Sequence, residues 1–564
     1  MIEQPGRDDL LRWRSSKPDN FYAAVPALAA MVELRMGERF TTELRERLDN
    51  FGRVVATGIE PAVAVIECSH EFPRLRPYDE LGRLIERVEF HPASDDAARL
   101  AWASGMLAAP LDYAGAFELA GHFFLLSHVG EGGQACPIVC TVGLRRALEH
   151  HATTELQSRY LAGLTAADAT TALRGSQFLT EVQGGSDVGA NACVAVPDDD
   201  DSGAWRITGE KWFCSVADGD LFAVTARPVG AAPGTKGLGC FVIPRSLDGV
   251  PNGFRIRRLK DKLGTRGLAS GEIDFEGALA YPIGDVGDGF SIAVTELLNT
   301  SRWLNALGSA GIMNRAYLEA ASFAHYRRAF GQRIESFEAV REQLAVMKIE
   351  AASALASSIA LTDLVGKIDA GIATNDELGL HRFLVNANKF VTSLAASDVV
   401  HRGIEVLGGN GTIEDFSPLP RLYRDAVVFE SWEGTHNVLC AQVRRDCQRL
   451  GLLDAVTRWI RNELSVVAPS LRADVDEVLR ALEGLEPELR KAIDDPASSD
   501  ASFRRQLTVL MRAVQAACLL RVASSPSTSD ADSSVSSAFV QFHLSTTKSV
   551  GEPSWLPMVD AVLS

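Results

Sequence analysis

Four short segments carry residue types that could hold an anionic ligand and act on it. Three of them combine glycine with small polar side chains: TEVQGGSDV at 180–188, VLGGNG at 406–411 and SWEGTHN at 431–437. Glycine lets the backbone approach a ligand without a side chain in the way. The fourth segment, RRAFG at 327–331, supplies guanidinium groups, whose planar donors fit phosphate oxygens. Glu433 is a carboxylate that could remove a proton from a bound substrate.

Each segment taken alone also has an ordinary structural interpretation. Gly-Gly-Ser-Asp favours a turn, and Gly-Gly after a helical pattern is typical of a helix C-cap. An arginine on a helix or an isolated glutamate is usually a solvated charge. Glu430 lies three residues before Glu433 and competes with it as the candidate base. Only the combination of the segments can therefore indicate a function.

Taken together, the order and spacing of these segments resemble those of the acyl-CoA dehydrogenase superfamily over about residues 100–450. The resemblance implies an FAD-dependent enzyme that acts on an acyl-CoA or a related acyl thioester. The segment GEKWFCSV at 209–216 matches the place where the family sets an aromatic ring and a hydroxyl beside the flavin. The residues that the resemblance assigns to FAD are Gln177, Leu179, Thr180, Gly185, Ser186, Phe213, Ser215, Arg327, Phe330, Glu405, Gly408, Gly409, Thr435 and Asn437.

Several of these positions depart from the family pattern. Phe213 and Ser215 replace the Trp and Thr of many relatives, but they keep an apolar face and a hydrogen-bond donor. Glu405 stands where Gln is common, and we expect it to turn toward a ribose hydroxyl because a diphosphate would repel it. Ala329 and Glu338 replace polar neutral residues, so we expect different cofactor contacts at those two positions.

The resemblance makes Glu433, which directly precedes Gly-Thr, the catalytic base. It implies that Glu433 removes an α-proton while a β-hydride passes to the flavin, and that hydrogen bonds to the thioester oxygen stabilise the developing enolate. The residues that it assigns to the substrate are Ser186, Asn299, Arg302 and Gly434. Relatives usually carry an acid at the position of Asn299, so we expect recognition of the thioester tail to differ here.

The elements that must position these residues fall into four parts by sequence pattern. Apolar residues at three- and four-residue intervals predict an N-terminal helical domain over 1–172 and a four-helix-type bundle over 286–450. Short apolar runs divided by Gly, Pro and Asp predict a small antiparallel β domain over 173–285. Amphipathic patterns over 451–564 predict a helical extension. The expected fold class is therefore α+β, mainly α.

Three local predictions rest on pattern or composition alone. LGRLIERVEF at 81–90 fits helical spacing and is expected to be part of the N-terminal helices. The acidic run PDDDDSG at 197–203 predicts a solvated turn. The low-complexity stretch ASSPSTSDADSSVSS at 523–537 predicts a loop, because it offers little apolar surface to bury.

Composition excludes several classes of function. A formal net charge of −17 over 564 residues opposes binding to a nucleic-acid backbone, so DNA is not expected as the main ligand. Cys136 and Cys140 form a close pair but lack the further ligands of a zinc site, so no metal is expected. The scattered cysteines suit reduced thiols in a cytoplasmic protein. Neither a signal peptide nor a membrane span is expected from the apolar pattern.

Two alternative functions stay open. The WF-x-S pattern, Glu405 and the C-terminal helices are most similar to the alkylation-response branch of the superfamily, whose best-known member binds DNA through its C-terminal domain. Residues 451–564 carry a net charge of −4, and their densest basic group is Arg504, Arg505 and Arg512. A long C-terminal extension also occurs in acyl-CoA oxidases, which pass electrons to oxygen.

The resemblance also implies partners. It predicts a homodimer or homotetramer with FAD at the subunit boundary, where Arg327 would hold the pyrophosphate of a neighbouring subunit. It predicts an electron-transferring flavoprotein as the electron acceptor. Nitroalkane-oxidising relatives use Asp as the base, so Glu433 weighs against that activity. The length and branching of the acyl group depend on pocket depth, which no motif sets.

Overall fold

The structure is a computed structural model that describes residues 5–199, 203–495, 500–525, 530–545 and 555–564. The α-helices of the described residues are α1 (Pro5–Ser15), α2 (Phe21–Ala24), α3 (Pro26–Met36), α4 (Thr42–Val54), α5 (Glu60–Ser69), α6 (Pro92–Trp102), α7 (Tyr113–Leu126), α8 (Ala135–His151), α9 (Thr154–Leu164), α10 (Gly289–Ile292), α11 (Asn299–Tyr326), α12 (Glu338–Asp369), α13 (Asn375–Leu407), α14 (Leu419–Ser431), α15 (His436–Leu450), α16 (Leu452–Ser465), α17 (Arg472–Asp494), α18 (Asp500–Ala523), α19 (Asp530–His543) and α20 (Leu556–Leu563). Two π-helical segments, Val55–Ile59 and Ala293–Leu298, adjoin α4 and α10.

The strands are short and concentrated in the middle of the chain. They are β1 (Arg74–Tyr78), β2 (Leu84–Glu89), β3 (Gly175–Phe178), β4 (Val194–Pro197), β5 (Trp205–Ser215), β6 (Leu221–Pro228), β7 (Gly239–Pro244), β8 (Ser246–Leu247), β9 (Val250–Pro251), β10 (Phe254–Leu259), β11 (Ser270–Pro282), β12 (Arg328–Ala329) and β13 (Gln332–Arg333). Helices before and after this small β region confirm the predicted α+β, mainly α, fold class.

The chain forms two compact units. The helical unit contains residues 1–57, 110–130 and 305–564, and the mixed unit contains residues 58–109 and 131–304. Strands β3 to β11 lie between residues 175 and 282. The four-part division at residues 172, 285 and 450 stays a prediction.

A seven-stranded sheet forms the centre of the mixed unit. Its strands run in the order β10-β11-β5-β4-β6-β3, and β7 pairs with both β11 and β6, so five of the strands close into a ring. The pairs β3–β6 and β4–β6 are parallel and the others are antiparallel. Buried aromatic and aliphatic side chains such as Phe178, Phe222, Phe241, Ile273 and Phe275 fill one core of this unit. The closed sheet gives the loops at the ends of β3 and β5 a rigid base.

The helical prediction for LGRLIERVEF was wrong. Its residues 84–89 form β2, which pairs antiparallel with β1. Along β2 the buried positions Glu86 and Val88 alternate with exposed ones, which is the two-residue period of a strand. The Glu86 carboxylate accepts a hydrogen bond from the backbone N–H of Ile256 at 2.8 Å. A segment of ten residues is too short for its apolar pattern to distinguish the period of a helix from the two-residue period of a strand.

Two long helices form the centre of the helical unit. Helix α12 packs on α13, α7 and α18, and most of its residues from Leu344 to Gly366 are buried. A capping box of Thr374 and Glu377 starts α13. By length and composition α12 and α18 could cross a membrane, but 89% and 67% of their apolar windows is buried inside the protein. That burial is what core helices show, and the predicted absence of a membrane span stays a prediction.

The predicted loop at 523–537 was wrong for its second half. Helix α18 ends at Ala523, α19 begins at Asp530, and residues 526–529 lie outside the described residues. The Ser537 hydroxyl donates to Asp474 in α17 at 2.6 Å, while Val535, Ala538 and Phe539 are buried. Tertiary packing of that apolar face stabilises a helix that composition alone did not indicate. The predicted turn at 197–203 has its residues 200–202 outside the described part.

Candidate functional site

The loop after β3 is fixed by a buried ion pair in the mixed unit. Lys211 on β5 lies 2.8 Å from Glu181, and both side chains are almost fully buried. Glu181 also accepts the backbone N–H groups of Ala192 at 2.6 Å and Cys193 at 3.2 Å. Burial would raise the pKa of Glu181, but Lys211 together with the hydrogen bonds from Ala192 and Gln183 holds that pKa below its usual value. These bonds hold the neighbouring residue Thr180 in place.

The predicted cofactor residues of this loop lie at its surface. Ser186 and Gly185 are exposed, Thr180 is half-buried, and Leu179 is buried at the end of β3. A Cβ atom on Gly185 would come within 2.4 Å of the Thr180 hydroxyl oxygen, so glycine is required for this close approach. The loop therefore has backbone groups and hydroxyls that can face a flat ligand.

Gln177 connects this loop to the predicted substrate residues. Its side-chain carbonyl accepts a hydrogen bond from Ser301 at 3.3 Å, at the start of α11. One turn of the same helix carries Asn299 and the buried Arg302, whose guanidinium donates to the Asn299 side-chain oxygen at 3.4 Å. The structure thus brings the predicted cofactor residue Gln177 together with Asn299 and Arg302 inside the mixed unit.

Phe213 and Ser215 lie at the end of β5, where the sequence predicted an aromatic residue and a hydroxyl group. The Phe213 side chain is 53% exposed, although it is large and apolar. The Ser215 hydroxyl is 3.3 Å from that of Ser270 on β11. An exposed aromatic ring next to a hydroxyl suits contact with a flavin ring, so these residues fit the cofactor.

Sequence reasoning missed a basic cavity beside this strand end. A cavity of about 200 Å³ is lined by Phe72, Pro73, Leu259, Lys260, Asp261, Lys262, Arg266, Leu268, Ala269 and Ser270. The Lys260 ammonium lies 3.6 Å from the ring centroid of Trp212, and Lys262 donates to Ser270 at 3.0 Å. Three cations within seven residues of a strongly acidic chain were the signal in the sequence. Lys260 is paired with Glu272 at 2.7 Å and Asp261 lies in the wall, so the attraction for an anionic group comes from Lys262 and Arg266.

Glu433 lies in the turn between α14 and α15 of the helical unit. Helix α14 ends at Ser431 and α15 begins at His436. Glu433 has a left-handed backbone with φ +57, and Gly434 follows with φ +105. A left-handed residue with a side chain costs roughly 1–2 kcal/mol, so the surrounding structure must hold it there. Strain of this kind is found at functional positions more often than elsewhere.

The competitor Glu430 has a different environment. Its carboxylate accepts a hydrogen bond from the Ser397 hydroxyl on α13 and lies 3.9 Å from the His436 imidazole. Glu430 therefore has partners within the helical unit that explain its charge. The predicted residues Gly434 and Thr435 lie with Glu433 in the turn, and Asn437 lies in the first turn of α15. The side chains of Thr435 and Asn437 are exposed.

The predicted ADP-binding residues lie at the end of α13. Gly408 has φ +62 and closes the helix, with its N–H donating to the Glu405 carbonyl. A 3₁₀ turn over Gly408–Thr412 follows. A Cβ atom on Gly409 would meet no other described residue within 4 Å, and the backbone there is not left-handed. Nothing in the described chain thus requires glycine at 409, whereas close approach of a phosphate would.

Arg327 and Phe330 lie at the hairpin of β12 and β13. Phe330 is 96% exposed and has φ +51, so a large apolar ring points away from the chain that carries it. Exposed apolar groups of this size usually contact another molecule. The hairpin therefore fits the predicted contact with a cofactor held by a second subunit.

One cluster of potential metal ligands occurs in the described residues. His150, His151 and Glu296 place one ligand atom each within 4.8 Å of one another. Arg146 lies 3.5 Å from the same carboxylate. Because this guanidinium already neutralises the carboxylate, the cluster is explained more simply by ion pairing than by a bound metal. The predicted absence of a metal stays a prediction. Burial would raise the pKa of Glu296, but the His150 hydrogen bond and Arg146 lower it to about 2.

Replacing Glu296 with Gln is expected to lower the free energy of unfolding at pH 7 by up to about 3 kcal/mol. The depressed pKa means that the stabilisation is complete above the unfolded-state pKa, near 4.5, and is lost as pH falls through about 2. Denaturant titrations of both proteins between pH 7 and 3 measure this. Equal pH slopes below pH 4.5 in the two proteins would contradict it.

The arginine cluster of the C-terminal extension is largely bonded within the protein. Arg504 donates to the Asn437 side-chain oxygen at 2.6 Å, and Arg512 donates to Glu350 at 2.8 Å. Of the three arginines, Arg505 has an exposed side chain. The pairing of Arg504 and Arg512 weakens the case for a phosphate-binding face, and the prediction that DNA is not the main ligand stands as a prediction.

Comparison with known proteins agrees with these observations. Three family models match the chain: the acyl-CoA dehydrogenase C-terminal domain at residues 287–447, the acyl-CoA dehydrogenase middle domain at 176–278, and the adaptive response protein AidB N-terminal domain at 14–168. The AidB protein of Escherichia coli (strain K12) is 34% identical over 391 residues, which cover 66% of this chain and 69% of that protein. Acyl-CoA dehydrogenase family member 11 of Caenorhabditis elegans is 30% identical over 464 residues, which cover 79% and 70%.

Solved structures show the same fold. The crystal structure of Caenorhabditis elegans ACDH-11 in complex with C11-CoA matches with a TM-score of 0.86 at 26% identity, covering 93% of this chain and 92% of that chain. The acyl-CoA dehydrogenase of Bacillus anthracis complexed with FAD matches with a TM-score of 0.69 at 20% identity, covering 93% and 86%. The chain belongs to the acyl-CoA dehydrogenase family, in its adaptive-response branch, and is an FAD-dependent oxidoreductase.

Proposed function

We propose that the chain forms the α,β-double bond of an acyl-CoA with Glu433 as the base. The observation that supports this most strongly is the left-handed backbone of Glu433 in the turn between α14 and α15. Glu430, the other candidate, has its carboxylate bonded to Ser397. The two glutamates thus differ in backbone conformation, and the one with the left-handed backbone also directly precedes Gly-Thr in the motif.

The proposed step breaks one C–H bond at the α-carbon and one at the β-carbon. Ionised Glu433 takes the α-proton, and the electron pair of that bond forms the new double bond. Bound FAD supplies the acceptor for the hydride that leaves the β-carbon. The residues of the mixed unit proposed to hold its flavin ring are Thr180, Phe213 and Ser215.

The basic cavity supports an anionic ligand near the flavin-facing strand. Lys260, Lys262 and Arg266 lie around it, and Ser270 in its wall is hydrogen-bonded to Ser215. The phosphates of an acyl-CoA or of FAD would supply that charge. Because the Caenorhabditis elegans structure is a complex with C11-CoA, we propose C11-CoA as the first substrate to test.

The proposed biological setting follows from the family. The exposed Phe330 supports a homodimer or homotetramer in which the β12–β13 hairpin reaches a second subunit. We propose an electron-transferring flavoprotein as the electron acceptor and a role in fatty acid metabolism in the cytoplasm. The helical extension α16–α20 favours one alternative, an oxidase that passes electrons to oxygen.

Anaerobic titration of the flavin-loaded protein with a panel of short, branched and long acyl-CoAs, including C11-CoA, tests the proposal. We expect at least one ester to bleach the flavin absorbance and to be recovered as the enoyl-CoA. A flavin that no ester in the panel reduces would contradict the proposed function. Mixing the reduced protein with air then separates the two acceptors, since prompt reoxidation with release of peroxide marks an oxidase.

A further inference from the structure

A fully buried lysine contacts the turn that carries Glu433 from both sides. The ammonium of Lys389, on α13, donates to the backbone carbonyl of Glu430 at 2.9 Å and to that of Gly434 at 3.2 Å. These carbonyls come three residues before Glu433 and one residue after it. The Lys389 ammonium therefore links the two ends of the segment that contains the proposed base.

Lys389 belongs to a polar stripe on α13. Ser393 and Ser397 follow it at intervals of four residues, so all three side chains lie on one face of the helix. The Ser393 hydroxyl lies 3.1 Å from the His436 imidazole, and the Ser397 hydroxyl donates to the Glu430 carboxylate. Every member of this stripe thus contacts the segment 430–436. These contacts stabilise the turn that contains Glu433.

The charge of Lys389 suits its position. The Glu430 carbonyl belongs to the last turn of α14, where backbone carbonyls lack helical partners and favour a cation. Burial, with the nearby cations Lys389 and Arg504, lowers the pKa of His436 to about 4, so this imidazole is neutral near pH 7. The Glu430 carboxylate on α14 is bonded to Ser397, and Arg504 on α18 is the other cation that acts on His436. A buried ammonium is costly without strong hydrogen bonds, and the turn supplies two of them.

We propose that Lys389 is a positioning residue for catalysis, which fixes the Glu433 turn through the carbonyls on either side of the base and brings a positive charge to that turn. This inference rests on the proposed function of Glu433. Two hydrogen bonds from one ammonium restrict both ends of the turn, and a left-handed residue persists where its surroundings determine the backbone. A nearby cation also favours the ionised carboxylate, which is the form that accepts a proton.

The test compares Lys389→Met, Lys389→Arg and the wild type, all loaded with FAD, in anaerobic flavin reduction by C11-CoA. In Lys389→Met we expect the rate at saturating substrate to fall about 10- to 100-fold, with little change in the half-saturating concentration. We expect the rise of that rate with pH to move to higher pH, because a cation is removed. Lys389→Arg, which keeps the charge and the donors, is expected to recover part of the rate.

A matched control is Lys348→Met in the same unit. Lys348 also donates to a backbone carbonyl, that of Val562 at 2.6 Å, but far along the chain from the Glu433 turn. We expect its pH profile to match that of the wild type. The positioning role is overturned if the Lys389→Met variant has the wild-type rate per molecule of folded, FAD-loaded protein and an unchanged pH profile.

Hydrogen exchange separates a failure of this inference from a failure of the proposed function. Amides of residues 431–435 are expected to exchange faster in Lys389→Met than in the wild type, and unchanged in Lys348→Met. This result requires no substrate, so it holds even if no acyl-CoA reduces the wild-type flavin. Equal exchange in Lys389→Met and the wild type would overturn the inference, whatever the activity.

Discussion

Replacing Glu433 with Gln is expected to lower the rate of flavin reduction by acyl-CoA about 10³-fold. Glutamine keeps the size of the side chain but cannot accept the α-proton, and general base catalysis contributes on the order of 10²- to 10⁴-fold. Anaerobic stopped-flow absorbance at saturating acyl-CoA measures the rate. The rise of the rate with pH that ionisation of Glu433 produces is expected to be absent from the variant.

Two further variants control this experiment. Glu430→Gln replaces the competing carboxylate, which is bonded to Ser397, and we expect its rate to stay within about tenfold of the wild type. Glu414→Gln changes a glutamate paired with Arg424 and is expected to behave as the wild type. A loss in Glu430→Gln with retained activity in Glu433→Gln would reverse the assignment.

Replacing Lys211 with Met is expected to lower the free energy of unfolding by about 3–5 kcal/mol, because it leaves the Glu181 charge buried without its cation. The loop after β3 also loses its link to β5, so we expect weaker binding of FAD. Denaturant titration and the flavin content of the purified protein measure the two effects.

A less buried ion pair of the same unit provides the comparison for Lys211. Arg206 pairs with Asp198 at 2.9 Å, and their side chains are 45% and 13% exposed. Arg206→Met is expected to cost less than about 1 kcal/mol. If Lys211→Met costs no more than Arg206→Met, burial of the Lys211–Glu181 pair does not stabilise the loop as we describe.

The sequence-based predictions for the site depend on motifs. Thr180, Phe213 and Ser215 were placed in strand ends and loops by turn residues and short apolar runs, and the structure has them at such positions. Glu433 was predicted as the base only because Gly and Thr follow it. Its left-handed backbone could not be predicted, because bonds from α13, more than thirty residues earlier, help to hold it.

The supporting residues could not be predicted for the same physical reason. No motif assigned a role to Lys211 or Lys389 in the sequence, and lysines are mostly exposed in proteins, so only the packed structure shows that these two are buried. The sequence indicated that Arg504 belongs to a basic group, but in the structure its guanidinium donates a hydrogen bond to Asn437. Local pattern also misassigned β2 and α19, since sheet pairing and packing against α17 decided those elements.

A single anaerobic turnover with isotopically labelled substrate tests the central claim most directly. A straight-chain acyl-CoA that the flavin accepts is prepared with deuterium at the α-carbon or at the β-carbon, and the product is examined by mass spectrometry. We predict an enoyl-CoA that has lost one label from either position, slower reduction with each label, and neither result in Glu433→Gln. An acyl-CoA recovered without a double bond, or labels lost equally in Glu433→Gln, would contradict the account.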